Sequence, residues 1–218
     1  MSKKNTNIIT PAGIAKWCHV SVPNTKHVAE GEYSVDLALE GEDAEKLKAL
    51  LDEAAEQAKQ DALKNNPKEK GLILKAEVTT GYTAEIDGET GEPTGRTLFR
   101  FKNKAKGMKK DKTPFEVTIG IFDAKGKPMK GVKVGFGSKM KVSFEIVPFW
   151  SKGLKKVGVS LRLKAVQILD LKQYGGGDAS SYGFGEEEGY EYDESQFSDE
   201  SRDESTDTDA VDDNDGDY

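Results

Sequence analysis

From residue 175 onward this chain is written in residues that cannot build a core. The last 44 positions carry 17 carboxylates against one arginine, spaced by Gly and Ser with a few Tyr and Phe. So little apolar surface cannot offset the entropy of ordering the chain, and the segment is expected to be disordered. Any fold must therefore come from residues 1–174, with room for one domain and a real core. The same boundary divides the charge, because the formal −7 of the chain is a body at +9 and a tail at −16. A basic body tied to an acidic tail suits binding of a polyanion, with a second polyanion on a tether.

A single cysteine, Cys18, excludes an intramolecular disulfide framework and fits a reducing compartment. No stretch approaches 18 apolar residues, and the opening MSKKNTNIIT lacks the apolar core of a signal peptide. The chain reads as soluble and cytosolic, with no membrane role.

Two periodicities organise the body. Residues 14–22 alternate as a strand, with Cys18, Val20 and Val22 on one face and Trp17, His19 and Ser21 on the other. Residues 33–39 repeat the pattern with Tyr33, Val35, Leu37 and Leu39. Between Asp43 and Lys64, Leu47, Leu50, Leu51, Ala54, Ala58 and Ala62 recur at steps of three and four, which predicts an amphipathic helix. Asp43 is its expected N-cap, and Asn65, Asn66 and Pro67 end it. After a Lys-rich connection and a stretch of turn residues, strands are expected near 97–105, 115–122, 139–148 and 157–169. Residues 123–128 (DAKGKP) read as a turn between two of them. Several short strands, one helix and Gly-rich corners predict a mainly β fold with one added α-helix, a small barrel followed by the disordered tail.

Within the body, residues 96–174 hold 20 basic and 5 acidic side chains. That net +15 marks an electrostatic footprint. The stretch RTLFRFKNKAKGMKK (residues 96–110) interleaves aromatics with cations. Phe99 and Phe101 share the face that should be buried and are assigned to the core. Arg100, Lys102 and Lys104 face the other way, toward phosphates, with Lys106 and Lys109 further along the same basic run. In KVSFEIVPFWSKGLKK (residues 141–156), Val142, Phe144 and Ile146 form the inward row. Continuing the count puts Phe149 outward, beside Lys152, Lys155 and Lys156. An aromatic among cations is what stacking on an unpaired base requires. Trp150 follows Pro148 and Phe149 where the alternation can break, and a Trp at a strand end often caps a core, but it is assigned with Phe149 to the DNA-binding face as a stacking ring. Trp17, with His19, is a weaker outward candidate.

Catalytic signatures are missing. Cys18, His19 and His27 have the wrong spacing for a zinc site. The segment from Gly120 to Pro128 misses the phosphate-loop pattern, and Gly135-Phe136-Gly137 lacks a third glycine. Asp212 to Asp217 fails the calcium-loop spacing. No enzyme, metal or cofactor is expected.

The order of features resembles the single-stranded DNA-binding proteins of short-tailed (podovirus) bacteriophages. The resemblance rests on YSVDLAL (residues 33–39) followed by the helix, DAKGKPM (123–129), GSKMKVSFEIVPF (137–149), VSLRLKAVQIL (159–169) running into YGGG, and an acidic tail ending in an aromatic. It implies an oligonucleotide-binding (OB) barrel with an added helix that coats single strands without sequence preference in replication and recombination and promotes annealing. It further implies a homodimer, a tail that contacts the phage DNA polymerase and helicase-primase, and action in the cytoplasm of the infected bacterium. The family's strand of alternating aromatics and cations matches Phe99, Arg100, Phe101, Lys102 and Lys104, where Lys104 replaces a family aromatic. Its aromatic after Val-Pro matches Phe149. Its C-terminal phenylalanine is Tyr218 here, preceded by Asp212, Asp213, Asp215 and Asp217 as the partner-binding tail. Stacking and phosphate contact serve DNA and RNA alike, and a chaperone-like or scaffolding role for the basic face is the rival from another class.

Overall fold

The computed structural model describes residues 7–26, 28–108 and 111–173. His27, Lys109 and the acidic segment, with Asp212, Asp213, Asp215, Asp217 and Tyr218, lie outside the described residues, as does the expected disorder of that segment. The chain divides into Met1–Gly176 and Gly177–Tyr218, and the fold is that of the first unit.

Its elements are β1 (Ile8–Ile9), β2 (Gly13–Asn24), β3 (Glu32–Leu39), α1 (Gly41–Asn65), a 3-10 turn (Pro67–Glu69), α2 (Lys70–Leu74), β4 (Glu77–Thr79), β5 (Tyr82–Ile86), β6 (Pro93–Lys104), β7 (Lys106–Met108), β8 (Pro114–Glu116), β9 (Gly120–Phe122), β10 (Lys139–Ser151) and β11 (Lys156–Asp170). β10 pairs with both β2 and β11, so β10, β2, β3, β6 and β11 close a ring. The ring is the small barrel that the strand pattern predicts, and closure removes the open edges of a sheet. β7 and β8 form a separate hairpin beside it.

Alternation fills the barrel. Tyr33, Val35, Leu37 and Leu39 of β3 are buried as expected, together with Phe99 and Phe101, Val142 and Phe144, and Leu161 and Leu163. Phe101 meets Phe144 edge-on with ring centres 4.9 Å apart, a contact of about 0.5–1.5 kcal/mol beyond the area buried. Ala44, Leu47, Leu51, Ala55, Ala58 and Ala62 form the buried stripe of α1, while Leu50 is 40% exposed. Ala55 and Ala58 pack on Val159 and Ile146, so the helix covers β10 and β11 from the side opposite their outer face.

Several expectations need correction. The helix begins at Gly41, and its N-cap is Glu40, whose side chain makes no cap hydrogen bond. Asp43 lies inside the first turn, where its charge suits the helix dipole. At the far end Asn66 Nδ2 donates to the carbonyl of Ala62, as a terminator should. The chain then forms a second, short helix, α2, within the Lys-rich connection. Val22 is 64% exposed. β2 bows away from β3 between His19 and Asn24, which takes Val22 out of the core row. The strand expected over 115–122 is two short ones. The chain leaves the hairpin at Glu116 and resumes as β9, parallel to β11. β4 and β5 lie between the Lys-rich connection and the expected turn stretch at 87–95, whose Pro93 and Gly95 already belong to β6. Residues 123–128 do turn, held by Asp123 Oδ1 accepting the N–H groups of Lys125 and Lys127.

Candidate nucleic-acid interface

Burial of Phe99 and Phe101 turns Arg96, Leu98, Arg100, Lys102 and Lys104 of β6 outward. β11 runs parallel beside it, with Arg162 opposite Lys102. Its buried row is Val157, Val159, Leu161 and Leu163, so Lys156, Ser160 and Arg162 share the outer face. β10 pairs Ser143 with Ala165 and Phe144 with Leu163, which leaves Lys164 as the extra residue of a bulge. Beyond that bulge Val147 sits opposite Ser160 and Phe149 opposite Gly158. Cross-strand partners point the same way, so Glu145, Val147 and Phe149 belong to this face too. Gly158 is required there, because a Cβ would collide with the carbonyl oxygen of Thr79 on β4.

Between β6, β11 and the hairpin lies a groove of about 730 Å³ lined by Lys102, Lys104, Arg162, Lys164, Val147 and Phe115, among others. The ring of Phe115 of β8 packs against Gly107, where a Cβ would meet it at 2.7 Å. Phe149 follows Val147 along β10 and is half-buried. The face therefore combines cations with two accessible aromatic rings.

Carboxylates hold these cations in place, Asp36 and Glu145 from beneath and Glu32 and Glu77 nearer the surface. Asp36, buried on β3, accepts Arg100 Nε at 2.9 Å and Nη2 at 2.6 Å. This fork leaves the remaining guanidinium donors to solvent, and the hydrogen bond to Asp36 raises the Arg100 pKa further. Buried Glu145 accepts Arg162 Nη1 at 3.3 Å. Lys164 Nζ lies 3.1 Å from Glu145 Oε1 without the alignment of a hydrogen bond. Lys102 lies 3.9 Å from Glu32, and Lys156 3.1 Å from Glu77.

The structure thus gathers Arg100, Lys102, Lys104, Phe149 and Lys156 on one face and adds Phe115, Arg162 and Lys164, which the sequence reading did not single out. Arg162 and Lys164 were legible as polar positions within SLRLKA. Nothing in the local sequence marks Phe115, whose place comes from the hairpin. The assignment of Trp150 to the stacking face is corrected: it lies on the opposite face of β10, packed on Ala62, Ile73, Ala76 and Val157 because α1 and α2 cover that side, with Nε1 donating to Glu69 at 2.7 Å. Lys152 joins the same carboxylate at 3.1 Å, and together they hold Glu69 below the usual carboxylate range. Lys155 sits in the β10–β11 turn at a φ of 52°, and Lys106 pairs with Glu116 on the hairpin. Trp17 is 71% exposed in a separate hollow.

Among the described residues no group of three His, Cys, Asp or Glu side chains could hold a metal ion, and no helix is long and apolar enough to cross a membrane. Burial pushes the Cys18 thiol up to about 11, so it remains protonated and unreactive at neutral pH.

The family model "Single-stranded DNA-binding protein, Bacteriophage T7" matches residues 13–171. The single-stranded DNA-binding protein of Enterobacteria phage T3 is 31% identical over 156 residues, covering 67% of this chain and 65% of that protein. The one from Escherichia phage T7 is 36% identical over 86 residues, covering 38% and 37%. The aligned segments thus span less than two thirds of both relatives. The crystal structure of gp2.5, the T7-encoded single-stranded DNA-binding protein, superposes with a TM-score of 0.59 at 25% identity, over 86% of this chain and 99% of that one. With a model match from β2 to the end of β11 and the same barrel in gp2.5, this chain belongs to the bacteriophage T7 single-stranded DNA-binding protein family.

Proposed function

We propose that this protein coats single-stranded DNA without reading its sequence, in phage replication and recombination, and promotes annealing of complementary strands. The observation that carries this reading is the outer face of β6, β10 and β11, where Arg100, Lys102, Lys104, Arg162, Lys164 and Lys156 surround Phe115 and Phe149. Cations there pair with phosphates and account for affinity and its salt dependence, while the rings stack on any base because every base has a π-face. Family membership supports the same reading. The role is one of binding rather than catalysis.

The acidic segment from residue 175, ending in Asp212, Asp213, Asp215, Asp217 and Tyr218, is proposed to engage the replication enzymes, DNA polymerase and helicase-primase, in the cytoplasm of the infected host. Its charge favours basic surfaces, and Tyr218 adds an apolar anchor. A homodimer is part of the same proposal.

The test is a fluorescence titration with a labelled oligothymidylate at several salt concentrations, with duplex and RNA as competitors. The folded double variant K102A/R162A should bind more weakly and show a salt slope smaller by about 0.7 for each phosphate it no longer neutralises. An unchanged slope, or an intact protein that ignores the oligonucleotide, removes the face from DNA binding and favours a protein-binding role for it.

A further inference from the structure

Three hollows follow one another along the outward row of β6. The first, of about 530 Å³, is lined by Arg96 and Leu98 together with Lys16, Trp17, Ile86 and Phe136. The second shares Leu98 and continues with Arg100 and Lys156. The third is the groove at Lys102 and Lys104. Strand geometry puts about 26 Å between Arg96 and Lys104.

The first hollow is built around two exposed rings, Trp17 at 71% and Phe136 at 56%. Across β2 and β3, Lys16 pairs with Asp36 and His19 with Ser34, so three residues span a step that takes two on the partner. Trp17 falls in that bulge and adopts a φ of 46°, a left-handed conformation uncommon outside glycine. The bulge turns the indole out of the barrel between buried Ala15 and Cys18. Core packing gives no reason to expose a ring this large on a strained backbone. Lys16 Nζ stands 4.8 Å from the centre of the Phe136 ring, which fixes a cation beside it.

Charge at this end is nearly balanced. Glu85 lies 3.1 Å from Lys16 and 3.9 Å from Arg96, and Arg96 also reaches Glu40 at 3.2 Å. Asp87 is occupied by its own turn, its Oδ1 accepting the N–H groups of Glu89 and Thr90. The hollow therefore offers stacking surface with little net attraction for phosphate.

We propose that Trp17 and Phe136 form a second stacking platform for bases of the same single strand, at the opposite end of β6 from Phe115. This rests on the DNA-binding reading above and extends it. Continuity selects the occupant, since the platform's hollow and the one at Arg100 share Leu98, and a strand on the cationic row reaches both. A strand anchored at Lys102 and Arg162 engages Trp17 only when it is long enough. The platform adds affinity that salt does not screen.

The test compares thymidylate oligonucleotides of about 4 and about 12 nucleotides, within the range of site sizes seen for such barrels. In the intact chain, lengthening the strand should raise affinity. In W17A/F136A that gain should shrink by between about 5-fold and about 150-fold, with the salt slope unaltered. A second readout uses the two tryptophans of the chain. The long oligonucleotide should quench indole fluorescence in W150F, whose remaining indole is Trp17, and not in W17F. A variant that keeps the full gain with length, a fall in the salt slope, absence of quenching in W150F, or a change in oligomeric state in place of the binding loss would each overturn the platform. If K102A/R162A weakens binding while W17A/F136A does not, only this inference fails. If neither has an effect, the DNA-binding reading fails with it.

Discussion

Asp36 decides how the cationic face must be probed. Its carboxylate is buried, with a side chain 4% exposed, and the Arg100 fork is its ion-pair partner. Removing one member of such a pair strands an uncompensated charge in a low-dielectric site, at a cost of about 3–5 kcal/mol where burial is complete. R100A should therefore lower the unfolding free energy by up to about 3 kcal/mol, as well as remove a phosphate contact. The double variant D36N/R100A should recover most of that stability without recovering DNA affinity. Urea unfolding of the two variants separates these effects, and equal stability in both would show that Asp36 is not the cause. Lys102 is the cleaner probe, since its partner Glu32 is 30% exposed. Arg162 instead pairs with buried Glu145, and its removal leaves that carboxylate to Lys164 alone, so R162A needs the same stability check.

At the scale of the strand, a one-residue step reverses the role of a ring. Phe149 and Trp150 are adjacent, yet β10 sends the first to the outer face and the second against α1 and α2. F149A should weaken DNA binding by ~1–3 kcal/mol with little change in melting temperature. W150A should do the reverse, costing about 2–4 kcal/mol of stability through the packing it removes and the bond to Glu69. Thermal melts and titrations of both variants check the contrast, and a stable but non-binding W150A would contradict it. Regular alternation is why so much was legible. Buried Phe99 and Phe101 required Arg100, Lys102 and Lys104 to point away, and Val142, Phe144 and Ile146 placed Phe149 on the outer row. Legibility failed where one extra residue or a long-range pairing intervened. The bulge at Lys164, the bowing of β2 at Val22 and the hairpin that carries Phe115 to the groove are each set by partners distant in sequence. The assignment of Trp150 to the stacking face failed for the same reason, because the surface it packs on comes from α1 and α2.

At the scale of the molecule, the charge division at residue 175 becomes a quantitative expectation. Residues 193–218 carry a net −11, so deleting them turns a chain at −7 into one at +4. On the proposed reading the tethered polyanion would compete with DNA phosphates for the same cations, and its field would oppose the approach of DNA. Truncation should therefore raise affinity for single-stranded DNA at low ionic strength, with much of the gain in the association rate. Exposed charges are screened over about 8 Å at physiological salt and about 3 Å at 1 M, so the advantage should fade as salt rises. Tail engagement of the polymerase and helicase-primase makes a second demand, that the same truncation abolish binding to both enzymes. Replacing only Tyr218 by Ala leaves the charge intact and should weaken that association while leaving the DNA titration as it was. If deletion alters neither DNA affinity at low salt nor enzyme binding, the segment acts only as a solubilising extension, and the barrel face alone carries the function.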